Sequence, residues 1–284
     1  LADFTMSDKD RYELKIAGLL HDCGKVTTPV HVVDKATKLQ TIYDRIHTVD
    51  TRFEVVKRDA EIEALKAILA GEDRAAAESR LLTKLVQIDA DRDFLRRSNV
   101  GGEAMQPEDQ ERVRRISREY RWCDPEGPPG RLVDFLSADE LENLTIRAGT
   151  LTQGEREIIN YHIVATIKML EALPWPKHLK NVPEYAGGHH ERMDGKGYPK
   201  GLKRDEMSVQ ARVMGIADIF EALTARDRPY KHGMKLSEAM RILENFRNNG
   251  HIDPDLFAVF VQQKVYLKYA QEFLDPAQID AISD

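Results

Sequence analysis

His189-His190-Glu191-Arg192-Met193-Asp194-Gly195-Lys196-Gly197-Tyr198-Pro199 is the stretch on which the reading of this chain turns. Adjacent histidines that feed a Gly-rich turn are seldom needed for folding alone. Far upstream stands His21-Asp22-Cys23-Gly24-Lys25, which sets an imidazole beside a carboxylate and follows them with a lysine. Imidazole and carboxylate donors suit Zn, Fe or Mn, and a nearby lysine can meet an anionic ligand. Together the two segments point to metal-assisted phosphoester chemistry.

Working outward, apolar residues recur at three- and four-residue spacing and alternating β-branched runs are scarce, so the fold class expected is all-α. A helix from Asp10 to about Asp22 carries Leu14, Ala17, Gly18, Leu19 and Leu20 as an apolar face ending in the His-Asp pair. Residues 26–40 read as a loop around Pro29. From Ile42 to Asn99 two stripes, Ile46, Val49, Phe53, Val56, Ala60, Ile62 and then Leu81, Leu82, Leu85, Ile88, Phe94, Leu95, predict a helical hairpin broken at Gly71. Further helices are predicted over 107–120, 154–173 with Thr152 as N-cap, 206–225, 236–248 and 255–273, and a Pro/Gly loop over 124–130.

The chain has 284 residues, 42% hydrophobic and 32% charged, enough to bury a substantial core. A net charge of −6 excludes a general affinity for nucleic acid polymers, so an anionic substrate needs local positive charge; Lys25, Arg226, Arg228 and Lys231 supply it. No apolar run is long enough to span a bilayer and no signal-peptide pattern opens the chain, and with only Cys23 and Cys123 a reducing, cytoplasmic setting is expected. Leu1 stands where a start methionine is expected, which leaves room for an upstream sensor, receiver or membrane domain.

Taken singly, each candidate has an ordinary explanation. His162 lies on the apolar side of its helix, in line with Ile158, Ala165 and Met169, and could be a packed core histidine or a ligand. Asp218 sits in Val213-Met214-Gly215-Ile216-Ala217-Asp218-Ile219-Phe220, where an unpaired carboxylate is costly to bury, so it is either paired or ligating. His189 and His190 could form a surface turn. His21 and Asp22 point about 100° apart on a regular helix and can serve one metal only at a helix end or distortion. Four histidines and two aspartates placed on apolar faces or beside Gly-rich turns argue for a common site.

The order His21-Asp22-x-Gly24-Lys25, Leu151-Thr152 with His162, His189-His190-Glu191-x-x-Asp194-Gly195-x-Gly197-Tyr198-Pro199, Ile216-Ala217-Asp218, Ala222-Leu223-Thr224 and Arg228-Pro229-Tyr230-Lys231 closely resembles the HD-GYP family, a subgroup of the HD phosphohydrolase superfamily. The resemblance implies an all-helical domain with a metal centre that hydrolyses cyclic dinucleotides, chiefly cyclic di-GMP to linear pGpG or GMP, with 3′,3′-cyclic GMP-AMP as an alternative substrate. It implies His21, Asp22, His162, His189, His190 and Asp218 as ligands of two divalent ions, Fe or Mn before Zn, with Asp22 bridging and a hydroxide between the ions as nucleophile. Lys25 then stabilises the phosphate or protonates the leaving oxygen, Arg228 and Lys231 hold the second phosphate, and Gly197, Tyr198 and Pro199 contact substrate, unless the Tyr198 ring simply packs. The ligands that add a third ion in some relatives come from a helix upstream of residue 10, so a binuclear centre is expected.

This chain departs from the family pattern in one respect above all. Residues 26–150 separate Lys25 from Leu151, so a first part over 1–40 and a remainder over 144–284 are expected to flank an inserted helical arm over 41–143. A lid, a homodimerisation hairpin and a partner-docking arm all fit such an insertion, as does a plain solvated helical pair; the Gly197-Tyr198-Pro199 turn is a second partner surface, and a catalytically weak binding module is the competing function. His47 and Asp50 read as structural, Glu221 replaces a frequent Asp, and Cys23 reads as an inert thiol.

Overall fold

In a computed structural model the described residues are 4–102, 104–124, 127–225 and 233–280. Among them the helices run, in chain order, α1 Asp8–Leu20, α2 Val30–Val33, α3 Ile46–Leu69, α4 Arg74–Asn99, α5 Pro107–Glu119, α6 Ala138–Leu144, α7 Gln153–Glu171, α8 Val182–Gly187, α9 Val209–Thr224, α10 Leu236–Asn248, α11 Pro254–Gln262 and α12 Val265–Phe273. The fold is all-α, relieved by one antiparallel ribbon, β1 Arg121–Cys123 with β2 Leu132–Asp134, in which Trp122 faces Val133. The chain divides into two compact units, one made of Leu1–Pro29 and Glu157–Asp284, the other of Val30–Arg156. The expected insertion, 41–143, lies inside the second.

That second unit is built on the α3–α4 hairpin, which turns at Gly71 with φ 101°, a left-handed backbone that glycine adopts without strain. Val49, Phe53 and Val56 meet Ile88, Phe94 and Leu95 in a core completed by Val113, Ile116, Tyr120, Phe135 and Leu144. The Phe53 and Phe135 rings lie 4.4 Å apart, and Tyr120 meets both at 5.7 Å. Asp91 is fully buried yet satisfied, accepting from Tyr120 Oη at 2.9 Å and pairing with Arg112 at 3.0 Å. Lys35, equally buried, donates to both Glu155 oxygens and to Asn143. Asp50 is taken by Arg96 at 3.0 Å, consistent with a structural His47–Asp50 pair.

In the other unit Ala17 of α1, Leu170 of α7, Val182, Tyr185 and Ala186 of α8 and Met214 of α9 form one core cluster. Ile216 and Phe220 of α9 join Leu236, Leu243, Ile252, Phe257 and Ala270 in another. Glu13, buried on α1, accepts from Asn181 N at 2.6 Å and so fixes the start of α8.

Several expectations are corrected. The single helix over 255–273 is two, because Lys264 takes φ 50° and ends the first. Residues 26–40 are not a plain loop but hold a 3-10 turn over Cys23–Thr27 and the short α2. The buried face of α7 runs through His162, Ile163, Ala165, Thr166 and Leu170, so His162 and Ala165 lie on it as expected while Ile158 and Met169, at the ends of the expected stripe, are exposed. Leu19, Ile62 and Leu82 are exposed as well.

Because Phe53 is fully buried at the centre of the aromatic trio, Phe53→Ala leaves a cavity that rigid neighbours fill poorly. The expected loss is about 3–5 kcal/mol, read as a lower urea midpoint with an unchanged slope.

Candidate metal centre

Helix α1 stops at Leu20, and His21 and Asp22 follow at its end, where Asp22 leaves helical geometry with φ −108° and ψ 11°. That distortion lets two neighbouring side chains aim at one place. His21 Nε2 lies 3.2 Å from Asp22 Oδ2 and 3.6 Å from Asp218 Oδ1, which α9 supplies. Asp22 turns its other oxygen, Oδ1, toward His162 Nε2 at 3.3 Å, and His162 Nε2 lies 3.2 Å from His190 Nε2. The donor atoms of His162, His189 and His190 fall within 4.8 Å of one another, as do those of His21, Asp22 and His189. All six residues singled out by sequence as ligands therefore stand together.

Three of the rings share one device. His21, His162 and His189 each set Nδ1 against the carbonyl three residues earlier, Gly18 at 2.7 Å, Ile159 at 2.5 Å and Ala186 at 2.6 Å. A carbonyl can only accept, so Nδ1 carries the proton and Nε2 is turned to the shared space, the arrangement that orients metal-binding imidazoles. His189 Nε2 and Asp22 Oδ1 are buried with no hydrogen-bond partner. Buried polar atoms left so are costly, and two acceptors converging on one point fit a cation.

Glycine makes the approach of α7 feasible. Gly24 N donates to Thr166 Oγ1 at 2.9 Å, and a Cβ on Gly24 would fall 2.0 Å from the His162 carbonyl and 2.5 Å from Thr166 N. Gly187 and Gly188 similarly let α8 meet Ile167 and Ala211, which delivers His189 and His190.

Electrostatics follow from this crowding. The Asp218 and Asp22 carboxylates push the His21 imidazolium up to about 10. Burial works to raise Asp22, but its contacts with His162, His21 and Lys25 outweigh it and hold the carboxyl well below the usual range. Asp218 is likewise lowered, burial being outweighed by His21. Burial pushes His189 down, and burial with the neighbouring His189 does the same to His190, so both rings are neutral. Lys25 Nζ sits 2.5 Å from Asp22 Oδ2 at the open edge of the cluster.

Comparison with known proteins gives two matches to HD-domain family models, over residues 2–116 and 138–256. The chain is 46% identical over 151 residues to a cyclic di-GMP phosphodiesterase of Pseudomonas aeruginosa, 52% of this chain and 35% of that protein. It is 38% identical over 112 residues to 3′3′-cGAMP-specific phosphodiesterase 3 of Vibrio cholerae, 39% of this chain and 23% of that one. A cyclic di-GMP phosphodiesterase of Thermotoga maritima is 34% identical over 121 residues, 43% of this chain and 32% of the relative. Both parts of the chain thus match HD-domain models, and its similarity is to proteins named as cyclic-dinucleotide phosphodiesterases. Each match spans well under half of the relative's own length.

The turn after the paired histidines differs in detail from expectation. The Tyr198 ring stacks on His190, with centroids 4.9 Å apart and planes at 18°, and Tyr198 N donates to the His190 carbonyl at 3.3 Å. Gly197 lies against the backbone of Glu191 and Arg192, where a Cβ would meet atoms at 2.4–2.6 Å. Pro199 follows through a cis peptide bond. Arg228 and Lys231 lie outside the described residues. Sequence reasoning gave no role to Glu191, which is buried and accepts from Lys200 N at 2.7 Å and Leu202 N at 2.8 Å. A charged residue directly after two candidate ligands was the available signal. Among the described residues no helix is long and apolar enough to cross a membrane.

Two outcomes are expected of this candidate centre. Gly24→Ala forces the His-Asp segment away from α7 and costs about 3 kcal/mol, with a parallel loss of bound metal; a variant with wild-type metal content would sink the close-contact argument. At pH 7 the metal-free His21 is protonated while His189 and His190 are not, so loading a cation releases about one proton from His21 and affinity rises with pH toward about 10. Titration calorimetry in buffers of different ionisation heat counts that proton, and a count of zero would contradict the His21 assignment.

Proposed function

We propose that this HD-GYP domain is a metal-dependent cyclic-dinucleotide phosphodiesterase that opens cyclic di-GMP to linear pGpG or on to GMP. The single observation that carries the reading is the convergence of four imidazoles and two carboxylates with two orphaned buried acceptors, in a chain whose relatives are named for this hydrolysis. His21, Asp22, His162, His189, His190 and Asp218 would hold two divalent ions, Fe or Mn, which would polarise a phosphodiester and lower the pKa of water. Asp22 would be the residue to serve both ions, since its two oxygens face His162 on one side and His21 with Lys25 on the other.

The chain's own residues do the rest. Lys25, more than a third exposed and anchored to Asp22, presents an ammonium to the substrate phosphate and is placed to give a proton to the leaving oxygen. The Nδ1–carbonyl hydrogen bonds keep three rings in the orientation a ligand needs. Gly197, Tyr198 and Pro199 form the substrate-side wall, with Tyr198 also bracing His190, and Arg228 and Lys231 hold the second phosphate. The 41–143 segment is read as an insertion with an interaction role, as a homodimerisation or partner-docking arm, and the domain as acting in the cytoplasm.

Cyclic GMP-AMP is the second reading, supported by the relatives from Vibrio cholerae that are named as specific for it. Supplying Mn or Fe anaerobically and resolving products from both cyclic dinucleotides decides the order. Linear product from wild type and background from Asp22→Ala is the expected result. Retained turnover in Asp22→Ala refutes the bridging role, and binding without turnover in the wild type turns the domain into a sensor.

A further inference from the structure

We infer that Glu191 is a positioning residue that fixes the substrate-side limb of the 191–203 loop to the paired histidines; this deepens the function proposed above and rests on it. Glu191 follows His190 directly, and its carboxylate is buried, 4% exposed. Its two oxygens are spoken for separately, Oε1 by Lys200 N at 2.7 Å and Oε2 by Leu202 N at 2.8 Å. A carboxylate so occupied is not available as a further metal ligand. Gly201, between the two amides, takes φ 67°, a left-handed turn that glycine adopts without strain and that brings both N–H groups to one carboxylate.

The consequence is a closed loop. Its near limb leaves His190 and passes Gly197, pressed on the Glu191 backbone, and Tyr198, stacked on the His190 ring. Its far limb, Lys200 to Leu202, is tied back to Glu191 by two charge-assisted hydrogen bonds, the strong kind. Gly197, Tyr198 and Pro199 lie between Glu191 and these two ties. Asp194 stabilises the tip independently, accepting from Lys196 N at 3.0 Å and pairing with Arg192 at 2.9 Å. Glu191 therefore controls where the tripeptide wall stands relative to the rings, without touching substrate or metal.

Glu191→Gln keeps the shape but replaces one accepting oxygen with a donor, so one amide loses its partner; Glu191→Ala releases both. With metal-loaded protein the expected result is unchanged metal content, KM raised about tenfold in Glu191→Gln and further in Glu191→Ala, and kcat changed by less than about threefold. Hydrogen exchange at residues 196–203 should quicken about tenfold or more while the helix carrying His162 is unaffected. A fall in metal content or kcat with KM unchanged, or unaltered exchange at Lys200 and Leu202, overturns the assignment. If the wild type turns over neither cyclic dinucleotide, the functional reading fails, whereas metal content and exchange still decide whether Glu191 holds the loop.

Discussion

The contact on which the centre depends is that of Gly24 with the turn of α7 that carries His162. The His-Asp pair and His162 are far apart in sequence, and they meet because a residue without a side chain lets two backbones touch, with Gly24 N donating to Thr166 Oγ1 to fix the register. The hydrogen bond is modest in net energy, about 1 kcal/mol, but the position it enforces is narrow. Asp22 reaches His162 from there, and Lys25, one turn of 3-10 helix further on, is left at the open edge. The glycine in the motif is thus as much a part of the centre as its ligands.

Around that contact the unit spends its buried polar groups on placing the candidate ligands. Glu13 holds the start of α8 and so the approach to His189 and His190; Asp253, fully buried, pairs with Arg204 after the turn and Arg212 on α9, the helix that carries Asp218. Met193 N and Asp194 N donate to the carbonyls of His251 and Gly250, binding the turn to the segment before α11. A carboxylate at 0% exposure is costly to desolvate, and Asp253 is retained with its two arginines where geometry must be held.

Much of this could be read from the chain. Helix periodicity gave the hairpin and its break at Gly71, because Gly71 sits between two long apolar stripes. The six candidate ligands were legible because histidine and aspartate on apolar faces stand out against a core of aliphatic residues. Gly201 and the split at Lys264 were not legible: each depends on where a backbone turns, and a lysine in a left-handed conformation has no compositional signature. The exposed ends of the stripe on α7 have a similar origin, since Ile158 and Met169 satisfy the same spacing as the buried set and only tertiary packing chooses between them. The ribbon of β1 and β2 was too short to show alternation.

The three imidazoles that donate to a carbonyl three residues upstream carry a further consequence. Each takes its alignment from its own stretch of main chain rather than from a neighbouring carboxylate, so the aiming of the ring is written into a four-residue window and travels with it. Side chains in the layer behind the rings can therefore drift over evolutionary time without turning a ligand away. His21, His162 and His189 are also polarised alike, by a peptide dipole in each case, which leaves His190, stacked on Tyr198, as the ring of the four whose setting depends on the surrounding loop.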